Sequence, residues 1–264
     1  MSKENTAVTK KKMKRCKEDV VFDAACFIIL TLVLFVVAYP LYWVIISSIS
    51  APSAVSSGKV LLHPIGFTLK GYAEVFKNDQ VMRGFLNSLI ITFCGVMVNL
   101  IVTLPTSYAL SRSNFSGKKP ITIFYLITMF FGGGLIPTYL VIQRLQMVNT
   151  IWALILPGCL SVYNMIVART FFKSNISEEL YEAAEIDGCT QARFFFQIAL
   201  PLSKAIIAIL VLYYGVGHWN SYFSALVYIS DKAKYPLQLV LRNILITNQT
   251  ALSQTATTAA ARAA

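Results

Sequence analysis

The chain has 264 residues, of which 56% are hydrophobic and 13% charged, and its mean hydropathy is +0.62. Soluble domains carry roughly one quarter charged residues, so this composition sets the soluble class aside in favour of a membrane protein. The net charge of +11 invites a nucleic-acid reading, but seven of the 23 Lys and Arg residues fall in the first 17 positions, just ahead of a long apolar run; that is a membrane-topology signal, and no nucleic-acid partner is expected.

In chain order, residues 1–20 form a basic tail ending in "KKKMKRCK" and the acids beyond it. The positive-inside rule assigns this tail to the cytoplasm. No signal-peptide cleavage pattern follows, and the apolar run is too long for a signal h-region, so it is expected to stay as a first span. Crossing about 30 Å of hydrocarbon takes about 20 apolar residues. Five windows free of Asp, Glu, Lys and Arg satisfy this: Ala24–Gly58, Gly84–Ser111, Ile121–Gln143, Leu145–Ala168 and Ala205–Ser230. Spans are expected at about 24–49, 85–110, 121–142, 150–172 and 203–228 within a membrane domain at 21–250. Pro40, Pro105, Pro137 and Pro157 fall inside the windows, as membrane helices tolerate when neighbours satisfy the freed backbone. The triplet Gly132-Gly133-Gly134 breaks the third span, either to line a path or to pack against a partner subunit. Tyr39, Tyr42, Trp43, Trp219 and Tyr222 are candidate interfacial anchors.

Orientation follows from the tail. Residues 50–83 lie outside, "SRSNFSGKKP" with Arg112, Lys118 and Lys119 inside, the turn at Arg144 outside, 169–204 inside, and "DKAKYPLQLVLRNILITNQT" outside. Residues 251–264, "ALSQTATTAAARAA", make no credible span, so a sixth helix is expected to be missing or altered there. Cys16, Cys26, Cys94, Cys159 and Cys189 are scattered without paired spacing or nearby histidines, which argues against a metal site and against a disulfide framework.

The inside segment 174–201 carries the sharpest local pattern, helix–turn–helix. Ser177 is placed to cap a helix whose first turn holds Glu178 and Glu179. Leu180, Ala183, Ala184 and Asp187 fall on one helical face, and Glu178, Glu182 and Glu185 on another. Gly188 stands where a left-handed C-cap belongs, a second helix "TQARFFFQIAL" follows, and Pro201 suits the first turn of the next long helix. A short, acidic, capped helix of this kind fits either a partner's groove or a solvated loop. Deep in the spans lie Asn87, Asn99, Tyr163, Asn164, Tyr214, His218, Trp219 and Asn220. The pairs Tyr163–Asn164 and Trp219–Asn220 are the substrate-path candidates, since aromatic faces stack on sugars and amides bond hydroxyls; His218 reads as structural.

The spacing Glu182-Ala183-Ala184, three residues, Gly188, nine residues, Ile198, one residue, Leu200-Pro201 matches EAA-x3-G-x9-I-x-LP. It resembles the EAA loop of the membrane-spanning subunits of bacterial ABC importers. "GHWNSYFSALVYISDKAKYPLQLVL" and "FFGGGLIPTYLVIQRLQMVNTIWALILPG" resemble the carbohydrate-uptake, maltose-type permeases, in a Gram-positive branch handling complex oligosaccharides. The resemblance implies an all-α helical bundle of the type I importer permease kind, five spans visible and a sixth expected, in a bacterial cytoplasmic membrane. It implies that Glu182, Ala183, Ala184, Asp187 and Gly188 contact an ATPase. It implies as partners a second permease subunit, two P-loop ATPase subunits that hold ATP and Mg, an extracellular solute-binding lipoprotein, an oligosaccharide and membrane lipid. The chain itself has no G-x-x-x-x-G-K-[ST] phosphate loop, so it is expected to be a transport subunit with no cofactor of its own. An ion-coupled transporter predicts carboxylates within the spans, and none occurs in the five windows. An ABC permease for a non-sugar solute is the remaining alternative.

Overall fold

The structure, a computed structural model, describes residues 17–247, 249 and 250. The basic tail up to Cys16 and the tail at 251–264 therefore lie outside the described residues. Among those described, regular structure is helical throughout, with no strand. The chain divides into two compact units, residues 1–75 and 76–264.

In the first unit, α1 (Lys17–Ser48) is apolar on every side and passes through Pro40 without a break. None of its most apolar stretch is buried. A helix that is hydrophobic all round has no core to face and belongs in lipid or against another chain. The short α2 (Pro52–Ser56) has proline at its first position, where the missing N–H costs nothing. Ile46, Ala54 and Val60 form a small core beside it.

The second unit begins within α3 (Lys70–Lys77). Its axis is α4 (Asp79–Ser111), capped by the Asn78 side chain, which accepts from the backbone N–H of Gln80 and Val81 at 3.0 and 3.3 Å. Then come α5 (Lys118–Phe130), α6 (Leu135–Arg144), α7 (Trp152–Gly158), α8 (Val162–Asn175), α9 (Glu178–Ile186), α10 (Gln191–Leu202), α11 (Lys204–Trp219), α12 (Phe223–Tyr228) and α13 (Leu237–Thr247). Helix α4 packs against α8 and α11 through a seam of small and polar residues: Gly95, Asn99, Thr103 and Ser107 are buried. Lipid tails are as apolar as leucine, so close approach and hydrogen bonds, rather than hydrophobicity, hold such helices together. At Gly95 a side chain would meet the His218 ring at 2.5 Å, so only glycine admits α11 this near. Thr103 Oγ1 and the Tyr214 hydroxyl bond across the same seam at 2.7 Å.

Among the described residues, two helices, α1 and α4, are long and apolar enough to cross a membrane, and up to five spans result when each bent pair counts as one. Helices α5 and α6 meet at 114° across the glycine triplet, α7 and α8 at 52°, and α10 and α11 at 80°. Three details differ from the sequence expectation. Pro201 lies in the last turn of α10, not the first turn of the long helix; that helix starts after a bend at Ser203. The missing Pro201 N–H cannot continue the ladder, and the turn Phe195–Ala199 before it is widened into a π-turn. The fifth apolar run stops at Asn220, whose φ of −90° and ψ of 3° leave the helix, and resumes as α12. The stretch expected to be an outside loop becomes helical at Leu237. There Leu239 and Val240 are buried, and the Leu237 N–H donates to Ser88 Oγ at 2.8 Å.

Candidate coupling surface and translocation path

Helix α9 is fixed at both ends. Ser177 Oγ accepts the Leu180 N–H at 3.3 Å. At the other end Gly188 takes φ +76°, its N–H bonds the Glu185 carbonyl at 3.0 Å, and the Cys189 N–H bonds the Ala184 carbonyl at 2.9 Å. That pair of bonds is the Schellman arrangement, and it needs a left-handed residue at its centre. Thr190 Oγ1 then caps α10 by accepting the Arg193 N–H at 3.4 Å.

One face of α9 is welded to the membrane helices. Tyr181 and Ala184 are buried in the core formed by Tyr108, Phe172, Phe194, Phe195 and Leu210. Glu178 pairs with Arg112, which closes α4, and accepts the Ser113 N–H at 3.0 Å. The Arg112 guanidinium also lies over the Tyr181 ring, 4.5 Å from its centroid. Burial alone raises the Glu178 pKa, but hydrogen bonding by Ser113 and the charges of Arg112 and Lys118 outweigh it and hold the carboxyl below its ordinary 4.5. Opposite this face, Glu182, Ala183, Glu185, Asp187 and Gly188 are exposed, and Ile186 is 88% exposed. A cavity of about 350 Å³, lined by Pro105, Tyr108, Arg112, Tyr181, Phe195 and Phe196 among others, lies between the end of α4 and this segment.

The second site is at the break between α7 and α8. The carbonyls of Gly158 and Cys159 have no helical partners there, and Asn99 Nδ2 donates to both, at 2.8 and 2.9 Å. Asn99 Oδ1 bonds His218 Nε2 at 2.7 Å. The Ser161 N–H donates to the Tyr214 hydroxyl at 3.2 Å. Irregular backbone inside a membrane persists only where its polar groups are satisfied or line a cavity. Both conditions hold: a cavity of about 300 Å³ opens beside the break, lined by Ser161, Asn164, Tyr213, Tyr214 and His218 with Gly158 and Gly217.

No family model matches this chain. Over 225 residues it is 37% identical to the Bacillus subtilis polygalacturonan/rhamnogalacturonan transport system permease protein YtcP, covering 85% of this chain and 78% of that protein. Over 234 residues it is 38% identical to the same organism's protein LplC, covering 89% and 79%. The chain belongs to the permease subunits of the carbohydrate ABC importers. A solved bacterial ABC transporter involved in the import of the acidic polysaccharide alginate contains a chain similar in fold, with a TM-score of 0.82 and 28% identity, covering 87% of this chain and 82% of that one.

In this permease the residues read from sequence separate into groups. Glu182, Ala183, Asp187 and Gly188 share the exposed side of α9 and its C-cap, but Ala184 does not join them. The expectation that Ala183 and Ala184 share one helical face is corrected here. The Tyr181 ring, 5.2 Å from Phe194, anchors the helix and turns Ala184, three residues on, into the core. Among the path candidates, Asn164 lines the cavity at the break and Tyr163 is exposed. Trp219 packs edge-on against Phe85 at 5.9 Å, and Asn220 bonds the Val216 carbonyl at 3.0 Å. Neither of these two lines that cavity. Sequence reasoning missed Arg112, Tyr181 and Ile186 at the coupling segment and Tyr213 at the cavity. The signal for Arg112 was its place immediately after the apolar run of α4; the others have none in a single sequence.

The Arg112–Glu178 contact sets a pH dependence. A carboxylate with a lowered pKa stabilises the folded state fully above its unfolded value and loses that contribution as pH falls through the folded value. Glu178→Gln is therefore expected to lower the thermal midpoint of the purified permease pair at neutral pH. The gap to the wild type should narrow below about pH 4.5 and close once Glu178 is protonated in the native state. An equal gap at every pH refutes the ionic role.

Proposed function

We propose that this permease subunit moves an oligosaccharide, of a polyuronide-containing class, inward through a heterodimeric path with a second permease. Similarity to the polygalacturonan system and to the alginate importer supports the acidic glycan class. An external binding lipoprotein delivers the glycan, and two separate ATPase subunits holding ATP and Mg drive the cycle. The coupling element is α9, with Glu182, Ala183, Asp187 and Gly188 facing the ATPase, and Ile186 as the apolar residue at its centre. The observation that carries this assignment is the division of α9 into a welded face and a free one. Tyr181 and Ala184 join the same core as Phe172 and Leu210, so a displacement of α9 has a packed route into α8 and α11. The cavity beside Tyr108 leaves space for that displacement. Bistable packing of this sort is what an allosteric transmission requires.

Within the membrane, Asn164, Tyr213 and His218 are the groups offered to sugar hydroxyls at the broken α7–α8 span.

Glu182→Lys reverses the charge on the free face without touching the core. In proteoliposomes holding the assembled importer and its binding protein, it is expected to reduce uptake and substrate-stimulated ATP hydrolysis together, by about tenfold or more, as loss of a charge-assisted contact at an interface implies. Wild-type rates in both assays sink the coupling assignment. A panel of oligouronides and neutral oligosaccharides in the same assay tests the glycan class.

A further inference from the structure

The first unit contains a strap with an apolar tip, held to α1 by hydrogen bonds and seated by Val60 on the small core of Ile46 and Ala54. Residues Lys59 to Phe67 leave α2, run back along α1, and return. The strap is pinned at both ends. The Lys59 N–H donates to the Ala54 carbonyl at 3.1 Å, the Ala51 N–H to the Ile65 carbonyl at 2.9 Å, and the Thr68 N–H to the Ile49 carbonyl at 3.0 Å. Gly66 makes the return, with φ +67°, where a side chain would lie 3.0 Å from the Ala51 methyl group.

Between these pins three consecutive carbonyls are taken by three aromatic donors of α1. Trp43 Nε1 donates to Val60 at 2.8 Å, the Tyr42 hydroxyl to Leu62 at 2.6 Å and the Tyr39 hydroxyl to Leu61 at 3.4 Å. Tyr39 lies nine residues before the end of α1, about 13 Å down the helix axis. Helical aromatic side chains lean further toward the N-terminus, so the strap reaches to their level. Asp23 is the last charge of α1, and about 20 residues at about 1.5 Å each cover the hydrocarbon from there, ending at Trp43. The strap tip is thus level with the edge of the hydrocarbon.

The side chains at the tip suit that depth. Leu61 and Leu62 are 61% and 66% exposed, while Val60 turns into the small core and the polar Lys59 and His63 flank the tip. A water-facing loop has no need of three indole and phenol donors for its carbonyls. A segment entering lipid does, because no water is there to bond them.

We propose that the Lys59–Phe67 strap is embedded in the membrane interface at the C-terminal end of α1, with Leu61 and Leu62 among the acyl chains. It acts as a lipid anchor fixing the depth of the first span. The test uses the complete importer with native cysteines replaced, in nanodiscs of phosphatidylcholine brominated in the upper acyl chain. A bimane probe at Leu62→Cys is expected to be quenched as strongly as one at the exposed Leu41→Cys, which lies near the same hydrocarbon edge on α1, while a probe at Ser57→Cys keeps its emission. If Leu62→Cys fails to assemble, Leu61→Cys reports on the same ladder. Emission at the tip matching Ser57, or a cross-link from the tip to another subunit in place of lipid quenching, overturns the anchor. The readout does not involve uptake, so it stands or falls separately from the transport reading.

Discussion

Gly188→Pro is expected to leave the permease inserted but to abolish uptake and substrate-stimulated ATP hydrolysis. Proline locks φ near −65°, and this position requires +76°. It also deletes the N–H that bonds the Glu185 carbonyl. The combined cost is about 3 kcal/mol or more, a factor of roughly 100 in the population of the capped helix. The rest of the chain is spared because Gly188 has nothing within 4 Å of where a side chain would start. The same open space makes Gly188→Ala a graded control. Alanine meets no clash and carries only the left-handed penalty of about 1–2 kcal/mol, so it should retain partial coupling. The assay is substrate-stimulated ATPase activity in proteoliposomes, with basal hydrolysis by the ATPase subunits as reference. Full stimulation in the proline variant shows that α9 does not transmit the stroke.

The second large effect is expected at Asn99. Single interhelical hydrogen bonds in membranes are worth only about 0.6 kcal/mol on average, because the separated helices find other partners. Asn99 departs from that average for a specific reason. Two of its three bonds go to carbonyls freed by the break after Gly158, and no helical N–H is positioned to replace them. The third holds His218 against Gly95, where there is no room even for a methyl group. Asn99→Leu leaves these partly exposed carbonyls and the His218 ring without their partner, and a total loss of about 1–3 kcal/mol is expected. His218→Ala removes only one of the three bonds and should cost less. Thermal midpoints of the purified importer in nanodiscs decide this. Equal losses for the two variants refute the central role of Asn99.

The membrane class, the helical fold and the family were legible in the sequence because each depends on local pattern. Apolar windows of bilayer length need no partner to be read, and the run from Glu182 to Pro201 carries its spacing within one segment. The caps at Ser177 and Gly188 were legible for the same reason, since each is a bond between neighbours in the chain. The bends were visible only where glycine marks them, at 132–134. The break at 159–161 was hidden, because its backbone is satisfied by Asn99 and Tyr214 from distant helices.

Side-chain direction on α9 marks the limit of local reading. Helical spacing put Ala183 and Ala184 together, and the sequence contains nothing that separates them. The Tyr181 ring seated between Arg112 and Phe194 separates them, and that seat is built by the end of α4 and by α10. The strap at Leu61 and Leu62 is a further case, since its depth follows from bonds to residues about twenty positions earlier. By itself, then, the sequence determined the class, the family and the capped helix–turn–helix at 177–201, all set by interactions within a few turns of chain. Only the tertiary structure decided which face of that segment is free, how the broken span is satisfied and where the polar cavity opens. Those outcomes depend on which distant hydrogen-bond donors and aromatic rings packing brings into reach.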